Sequence, residues 1–164
     1  MIYYLSLGAN LGEREQTIRH ALERIEQQAG TILRCSSFYY SEPWGFRSEH
    51  AFCNLCCAVE TTLEPIEMLR ATQSIELQLG RTEKSVNGEY HDRTIDIDLI
   101  RAFDDEGKEI ILQITTQQSE ISNVPLLFLP HPLWQQRDFV RIPLAEILPC
   151  TEAPLADGNE VEGN

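Results

Sequence analysis

No stretch of this sequence approaches the roughly 20 apolar residues needed to cross a bilayer, so no membrane-spanning helix is expected. Basic residues are scarce: 13 Lys and Arg stand against 26 Asp and Glu, a formal net charge of −13. So acidic a chain repels phosphate backbones and anionic lipid surfaces, and neither nucleic acid nor membrane is an expected partner. A small anionic ligand remains compatible, held by a local cluster of cations or through metal ions on carboxylates. The opening residues Met1-Ile-Tyr-Tyr-Leu-Ser-Leu-Gly lack the positive region of a secretory signal, so a cytoplasmic location is expected. There is no G-x-x-x-x-G-K-[ST] segment, which excludes the P-loop manner of holding a nucleotide. No internal repeat is present.

Cysteine occurs without a framework. The five residues Cys35, Cys53, Cys56, Cys57 and Cys150 are odd in number and irregular in spacing, so a set of disulfides is not expected. Cys53 and Cys56 have C-x-x-C spacing, but they fall in a run that reads as a strand. Residues three apart on a strand point to opposite faces. With no second C-x-x-C pair, the expectation is small buried hydrophobes rather than a zinc or redox site.

At 164 residues the chain is long enough for one domain with a real core. The expected division is a single domain over residues 1–150 and an acidic, flexible tail over 151–164. Residues 3–7 read as a strand. Ile18, Ala21, Leu22, Ile25 and Ala29 have helical spacing, and Gly30 stops that helix. Residues 31–41 and 51–62 read as strands. Glu64-Pro65 opens a second helix that ends at Gly80. Residues 81–92 have no apolar period and read as a loop. Residues 93–101 alternate cleanly as a strand. Residues 102–125 are polar and irregular and read as an inserted hairpin. Short helices are expected at 133–137 and from Pro143. The order is βαββαβ, an α+β ferredoxin-like sandwich: an antiparallel sheet with helices on one face and a ligand site on the other.

Chemistry concentrates on that second face. In Thr94-Ile-Asp-Ile-Asp-Leu-Ile100 the alternation puts Ile95, Ile97 and Leu99 toward the helices, and Asp96 and Asp98 on the open face. The two carboxylates then stand roughly 7 Å apart at Cα. Hard oxygen donors that leave room for water and phosphate suit Mg²⁺. A solvated strand face has the same pattern, so the acids alone do not decide. Arg81, Arg93, His131 and Arg137 flank them, as a polyphosphate requires. A histidine between two prolines is as often structural as catalytic. Gln73 and Glu76 share one face of the second helix. By parity, Phe52 and Asn54 share the aspartates' face, where a ring beside an amide suits a flat heterocycle. An edge aromatic with a satisfied asparagine is the plainer reading of that pair.

Seven segments in order carry a resemblance: Ser6-Leu-Gly-Ala-Asn-Leu-Gly12, Ser37-Phe-Tyr-Tyr-Ser-Glu-Pro-Trp-Gly45, Phe52-Cys-Asn54, Gln73-Ser-Ile-Glu-Leu-Gln-Leu-Gly-Arg81, Arg93-Thr-Ile-Asp-Ile-Asp-Leu99, Leu129-Pro-His-Pro132 and Arg137-Asp-Phe139. The chain resembles the 6-hydroxymethyl-7,8-dihydropterin pyrophosphokinases over residues 3–149. That resemblance implies a ferredoxin-like fold, ATP and the pterin as substrates, and two Mg²⁺ ions on Asp96 and Asp98. It implies that Phe52 and Phe139 sandwich the pterin, and that Asn54 bonds its edge with help from groups near Ser41, Pro43 and Trp44. ATP would meet Gln73, Glu76, Arg93, His131 and Arg137, with Leu69 and Leu99 near the adenine. Arg81 would belong to a mobile loop that closes over the nucleotide.

The chain also departs from the family. Glu83 stands where a second arginine is usual, which leaves Lys84 as the expected replacement cation. Tyr90 stands near a usual tryptophan, and Pro132 replaces an occasional aromatic. A metal-dependent nucleotide hydrolase or nucleotidyl transferase, and a non-catalytic binding module, are the other readings. The oligomeric state is not written in the sequence; a monomer is the working expectation.

Overall fold

The computed structural model describes residues 1–42, 51–80, 94–115 and 127–149. Its elements are β1 (Ile2–Ala9), α1 (Arg14–Gln28), β2 (Thr31–Cys35), β3 (Tyr39–Ser41), β4 (Phe52–Glu60), α2 (Pro65–Gln78), β5 (Asp96–Phe103), β6 (Leu112–Ile114), β7 (Leu127–Leu129), a 3-10 turn (Trp134–Gln136) and α3 (Asp138–Ile147). The main sheet has the order β2-β4-β1-β5, with β3 also on β4, and every pairing is antiparallel. With β2 and β3 as one broken edge strand, this is the expected α+β arrangement.

The break in the edge strand has a local cause. Between β2 and β3, Ser36 turns its side chain onto β4: the Cys56 N–H donates to Ser36 Oγ at 2.9 Å, and Ser36 N–H donates to the Cys56 carbonyl at 2.8 Å. The β4 ladder therefore stays satisfied across the interruption.

Strand alternation builds the first core. Tyr3, Leu5, Leu7 and Ala9 of β1 join Cys53, Leu55, Cys57 and Val59 of β4, and Ile97 and Leu99 of β5. They pack against Ile18, Ala21 and Ile25 of α1 and Met68 and Ile75 of α2. The α2 start is the expected one: Pro65 opens it, and Glu64 and Glu67 form a reciprocal capping box.

The second face is not left wholly free. Tyr4, Cys56, Ala58, Ile100 and Phe103 form a second core with Trp134 and with Val140, Leu144 and Ile147 of α3. The sequence reading made the final helices short. The observed α3 runs ten residues through Pro143, whose missing N–H costs the Phe139 carbonyl its usual donor. Helices therefore lie on both faces, with α3 covering only one half of the second. A bulge in the β1–β5 pairing, where Tyr4 faces Arg101 but Leu5 faces Leu99, leaves Ile100 as an extra residue. Leu99 and Ala102 thus point to the first core, while Ile100 and Phe103 point to the second.

The C-x-x-C pair divides as strand parity requires. Cys53 lies in the first core and Cys56 in the second. Burial pushes the Cys53 thiol up to about 11 and the Cys56 thiol up to about 12, so both are protonated packing groups.

Beyond β5, a turn at residues 104–107 folds the chain back, with Ile110 N–H donating to the Ala102 carbonyl at 2.8 Å. β6 then pairs with β7, Leu112 opposite Leu129 and Ile114 opposite Leu127.

Two glycines after helices do different work. Gly80 follows α2 with φ +95°, a left-handed conformation that favours glycine. At Gly30 the constraint is space: a Cβ would collide with the Glu60 carbonyl oxygen and lie 2.7 Å from Thr61 Cβ. The obstacle is backbone and cannot swing aside. Gly30→Ala should destabilise the protein by about 1–3 kcal/mol through displacement of the α1–β2 connection from β4. Urea unfolding checks this, and an unchanged midpoint would contradict it.

Candidate active site

On the second face, at the border of α3 and beyond it, cross-strand register sets two rows of side chains. Asn54, Gly8 and Asp96 form one row, and Cys56, Ser6 and Asp98 the next. Asp96 and Asp98 are each half-buried, and Ser6 between them and Cys56 is only 6% exposed. The predicted juxtaposition of two carboxylates on one face is present.

Asn54 is 2% exposed. Its amide nitrogen donates to the Tyr39 carbonyl at 3.0 Å and to Ser41 Oγ at 2.8 Å. The Tyr39 carbonyl can only accept, so the nitrogen must face it and Oδ1 turns over Gly8. A Cβ at Gly8 would sit 3.1 Å from Asn54 Oδ1 and 3.6 Å from Phe52 Cδ1. The missing side chain of Gly8 is therefore the floor on which the amide and the ring rest. Sequence reasoning overlooked this glycine. Its signal was available: glycine inside a strand marks a close approach, and the opposite position in β4 is Asn54. Ser41 enters through its hydroxyl, which holds Asn54.

α3 borders this half-face. Cys56 Sγ lies 3.7 Å from the Val140 carbonyl near the helix start, while Arg34 Nε donates to the Ile147 carbonyl at its end. The helix thus runs away from the open half and leaves the half-buried Phe139 at the boundary, with the Arg137 guanidinium 5.8 Å from its ring centroid.

His131 lies beside the outer edge of β5, where its N–H donates to the Ile100 carbonyl at 2.8 Å. Its ring Nδ1 accepts from Leu133 N–H at 3.2 Å, so in the neutral ring the proton is on Nε2. Burial lowers its pKa, the Arg137 charge lowers it further, and the Asp96 carboxylate acts in the opposite direction.

Leu69, Gln73 and Glu76 belong to α2, in the layer on the other side of the sheet, and Leu99 points into that layer too. Glu76 is 4% exposed. These four are not on the face of Asp96 and Asp98. A ligand meeting both groups would have to pass around the outer edge of β5. Pro43, Trp44, Arg81, Lys84 and Arg93 lie outside the described residues, as does the predicted loop at 81–92. Among the described residues no group of three or more His, Cys, Asp or Glu could hold a metal ion, and no helix is long and apolar enough to cross a membrane.

The family model for 7,8-dihydro-6-hydroxymethylpterin-pyrophosphokinase (HPPK) matches residues 4–149. The chain belongs to the HPPK family. A 2-amino-4-hydroxy-6-hydroxymethyldihydropteridine pyrophosphokinase of Porphyromonas gingivalis is 44% identical over 155 residues, covering 93% of this chain and 96% of that protein. The enzyme of that name from Bacillus subtilis is 37% identical, covering 89% of this chain and 77% of its own. A solved HPPK-DHPS structure in complex with substrates superposes with a TM-score of 0.62 at 19% identity, over 90% of this chain and 40% of that one. At that identity it supports the shared HPPK fold alone.

The lowered pKa of His131 carries a pH signature. The unfolded chain holds a histidine near its ordinary value of 6.5, so it binds the proton more tightly than the folded state does. Stability from this group is full above that value and is lost as pH falls below it. His131→Gln should therefore flatten the decline in unfolding free energy between pH 7.5 and 5.5. Urea titrations of both proteins at the two pH values check this; parallel declines would contradict it.

Proposed function

We propose that the uncovered half-face is the active site of a pyrophosphokinase of folate synthesis, which transfers pyrophosphate from ATP to 6-hydroxymethyl-7,8-dihydropterin. The observation that carries this reading is the shared floor: Asn54, Phe52, Asp96 and Asp98 converge across Gly8 and Ser6 in a chain of the HPPK family. A flat acceptor and a polyphosphate donor would then lie side by side.

In this reading Phe52 and Phe139 stack the pterin, while Asn54 meets its edge. Asn54 arrives with its amide nitrogen already engaged by Tyr39 and Ser41, so its orientation is settled before the ligand binds, which reduces the cost of ordering. Pro43 and Trp44 supply further contacts. Gln73, Glu76, Arg93, His131 and Arg137 bind ATP, with Leu69 and Leu99 toward the adenine, and Arg81 and Lys84 close over the phosphates. The neutral His131 offers its Nε2–H as a donor to a phosphate oxygen without adding charge.

The reaction joins the hydroxymethyl oxygen to the β-phosphorus of ATP. The bond from that phosphorus to the α–β bridging oxygen breaks, the hydroxyl proton is lost, and AMP leaves. Two half-buried carboxylates with no third acidic or histidine ligand among the described residues fit Mg²⁺, which takes one or two carboxylates and completes its shell with phosphate and water. Two such ions on Asp96 and Asp98 would neutralise charge on the phosphates and on the departing AMP. The chain's own part is to hold donor and acceptor in line, a gain of proximity rather than of acid–base strength. A monomer acting in the cytoplasm is part of the same proposal.

Incubation with MgATP and the hydroxymethyl dihydropterin should yield AMP and the pterin diphosphate in equal amounts. AMP formed without pterin would instead mark a nucleotide hydrolase. Asp96→Asn and Asp98→Asn keep side-chain shape but remove charge, and each should lower turnover by at least about 100-fold with an unchanged circular dichroism spectrum. Near-normal turnover in both would rule out the metal pair. Gly8→Ala should displace the Asn54 amide and weaken pterin binding by about tenfold, ~1.4 kcal/mol, while leaving the affinity for an ATP analogue unchanged. Equal calorimetric losses for both ligands would refute that selectivity.

A further inference from the structure

The segment holding His131 and Arg137 is anchored at its ends, by His131 N–H on the Ile100 carbonyl at 2.8 Å and by Arg141 N–H on the Arg137 carbonyl at 2.8 Å, with two long bonds between them. Within it, Trp134 N–H reaches the His131 carbonyl at 3.4 Å and Arg137 N–H reaches the Trp134 carbonyl at 3.4 Å, both longer than ordinary bonds of this kind. The turn itself is three residues long. Between those ends the buried side chain is Trp134, midway between the two and 6% exposed. Arg101 touches that ring: its guanidinium carbon lies 5.6 Å from the Trp134 centroid and 4.9 Å from that of Phe103. Glu109 grips the same guanidinium from a second direction, accepting from Nε at 2.9 Å and from Nη2 at 3.2 Å. The Arg101 side chain is only 13% exposed. The bulge at Ile100 explains why an arginine stands here, since it places Arg101 beyond Ile100 on the side where Trp134 and Phe103 pack.

We propose that Arg101, held by Glu109, is a positioning residue for the nucleotide, acting through Trp134 to set the pose of His131 and Arg137. The inference rests on reading those two residues as ATP contacts. A planar, two-pronged group held by Glu109 beside the Trp134 and Phe103 rings constrains both the depth and the tilt of the turn. Flat aliphatic packing would fix depth alone. Loss of the clamp therefore loosens the phosphate-side contacts more than the pterin side, where Phe52 and Asn54 stand on β4 and Phe139 lies in α3 beyond the turn.

The test compares wild type with Arg101→Met, Trp134→Leu and the double variant, all at a temperature where circular dichroism shows them folded. Affinities for a magnesium complex of a non-hydrolysable ATP analogue and for the pterin are measured by calorimetry. Arg101→Met should weaken analogue binding about tenfold, change pterin binding less than twofold, and raise KM for ATP with kcat nearly kept. In the Trp134→Leu background the same change should add nothing further. Glu109→Gln, which preserves shape, should move analogue affinity in the same direction and serves if Arg101→Met does not fold. Unchanged analogue affinity, a parallel loss of pterin affinity, or additive losses in the double variant would each overturn the proposal. His131→Ala with Arg137→Ala separates the two ideas. If that pair leaves analogue binding intact, the nucleotide reading falls; if it weakens binding while Arg101→Met does not, only the positioning role falls.

Discussion

Everything in this molecule depends on the antiparallel contact between β1 and its two neighbours. β4 and β5 both pair with β1, and the alternation of all three is phased against it. Because α1 and α2 seal one face, Leu5, Leu7, Leu55, Cys57, Ile97 and Leu99 are committed there. The residues between them then have no choice. Asp96, Asp98, Asn54 and Ser6 share the other face because their neighbours are apolar. A slip of one residue would send the carboxylates into hydrocarbon, a cost no packing gain could offset. The site is thus placed by the core rather than by contacts among its own members.

The net charge of −13 shapes what this face can hold. Long-range repulsion disfavours an anionic ligand, so a polyphosphate must be held at short range by cations and neutral donors. The described residues show how local that work is. Burial, and after it the Arg137 charge, lowers the His131 pKa against the pull of Asp96. Arg101 is spent on Glu109 and two aromatic rings. Basic groups are few, and those seen here are engaged within about one side-chain length of their partners.

The parts legible in the sequence were those governed by period. Alternation placed Asp96 and Asp98 together and put Phe52 and Asn54 opposite Cys53 and Leu55; it also divided Cys53 from Cys56. Helical spacing found α1, and Glu64-Pro65 marked the start of α2. What was hidden depends on partners distant in the chain. The bulge at Ile100 exists only relative to β1, and nothing in Leu99-Ile-Arg-Ala102 announces it. The role of Gly8 needs the β4 register, and that of Gly30 needs the Glu60 carbonyl beside it. The final helix was read as starting at Pro143, whereas α3 starts at Asp138 and buries Val140, Leu144 and Ile147. Leu69 and Leu99 lie on the helix-covered side of the sheet, a separation from the aspartates that a linear motif does not display.

The half-cover provided by α3 makes the sandwich asymmetric in thickness. Through Tyr4, Ala58 and Ile100 the described residues form three layers; through Gly8, Asn54 and Asp96 they form two. The same strands are therefore stiff at one end and thinly supported at the other. A flat molecule settling on the thin end would complete a layer that the described residues leave open, beside Phe52 and Phe139. The ligand would then act as a piece of the fold, and some of its binding energy would return as mechanical stiffness of the strands beneath it.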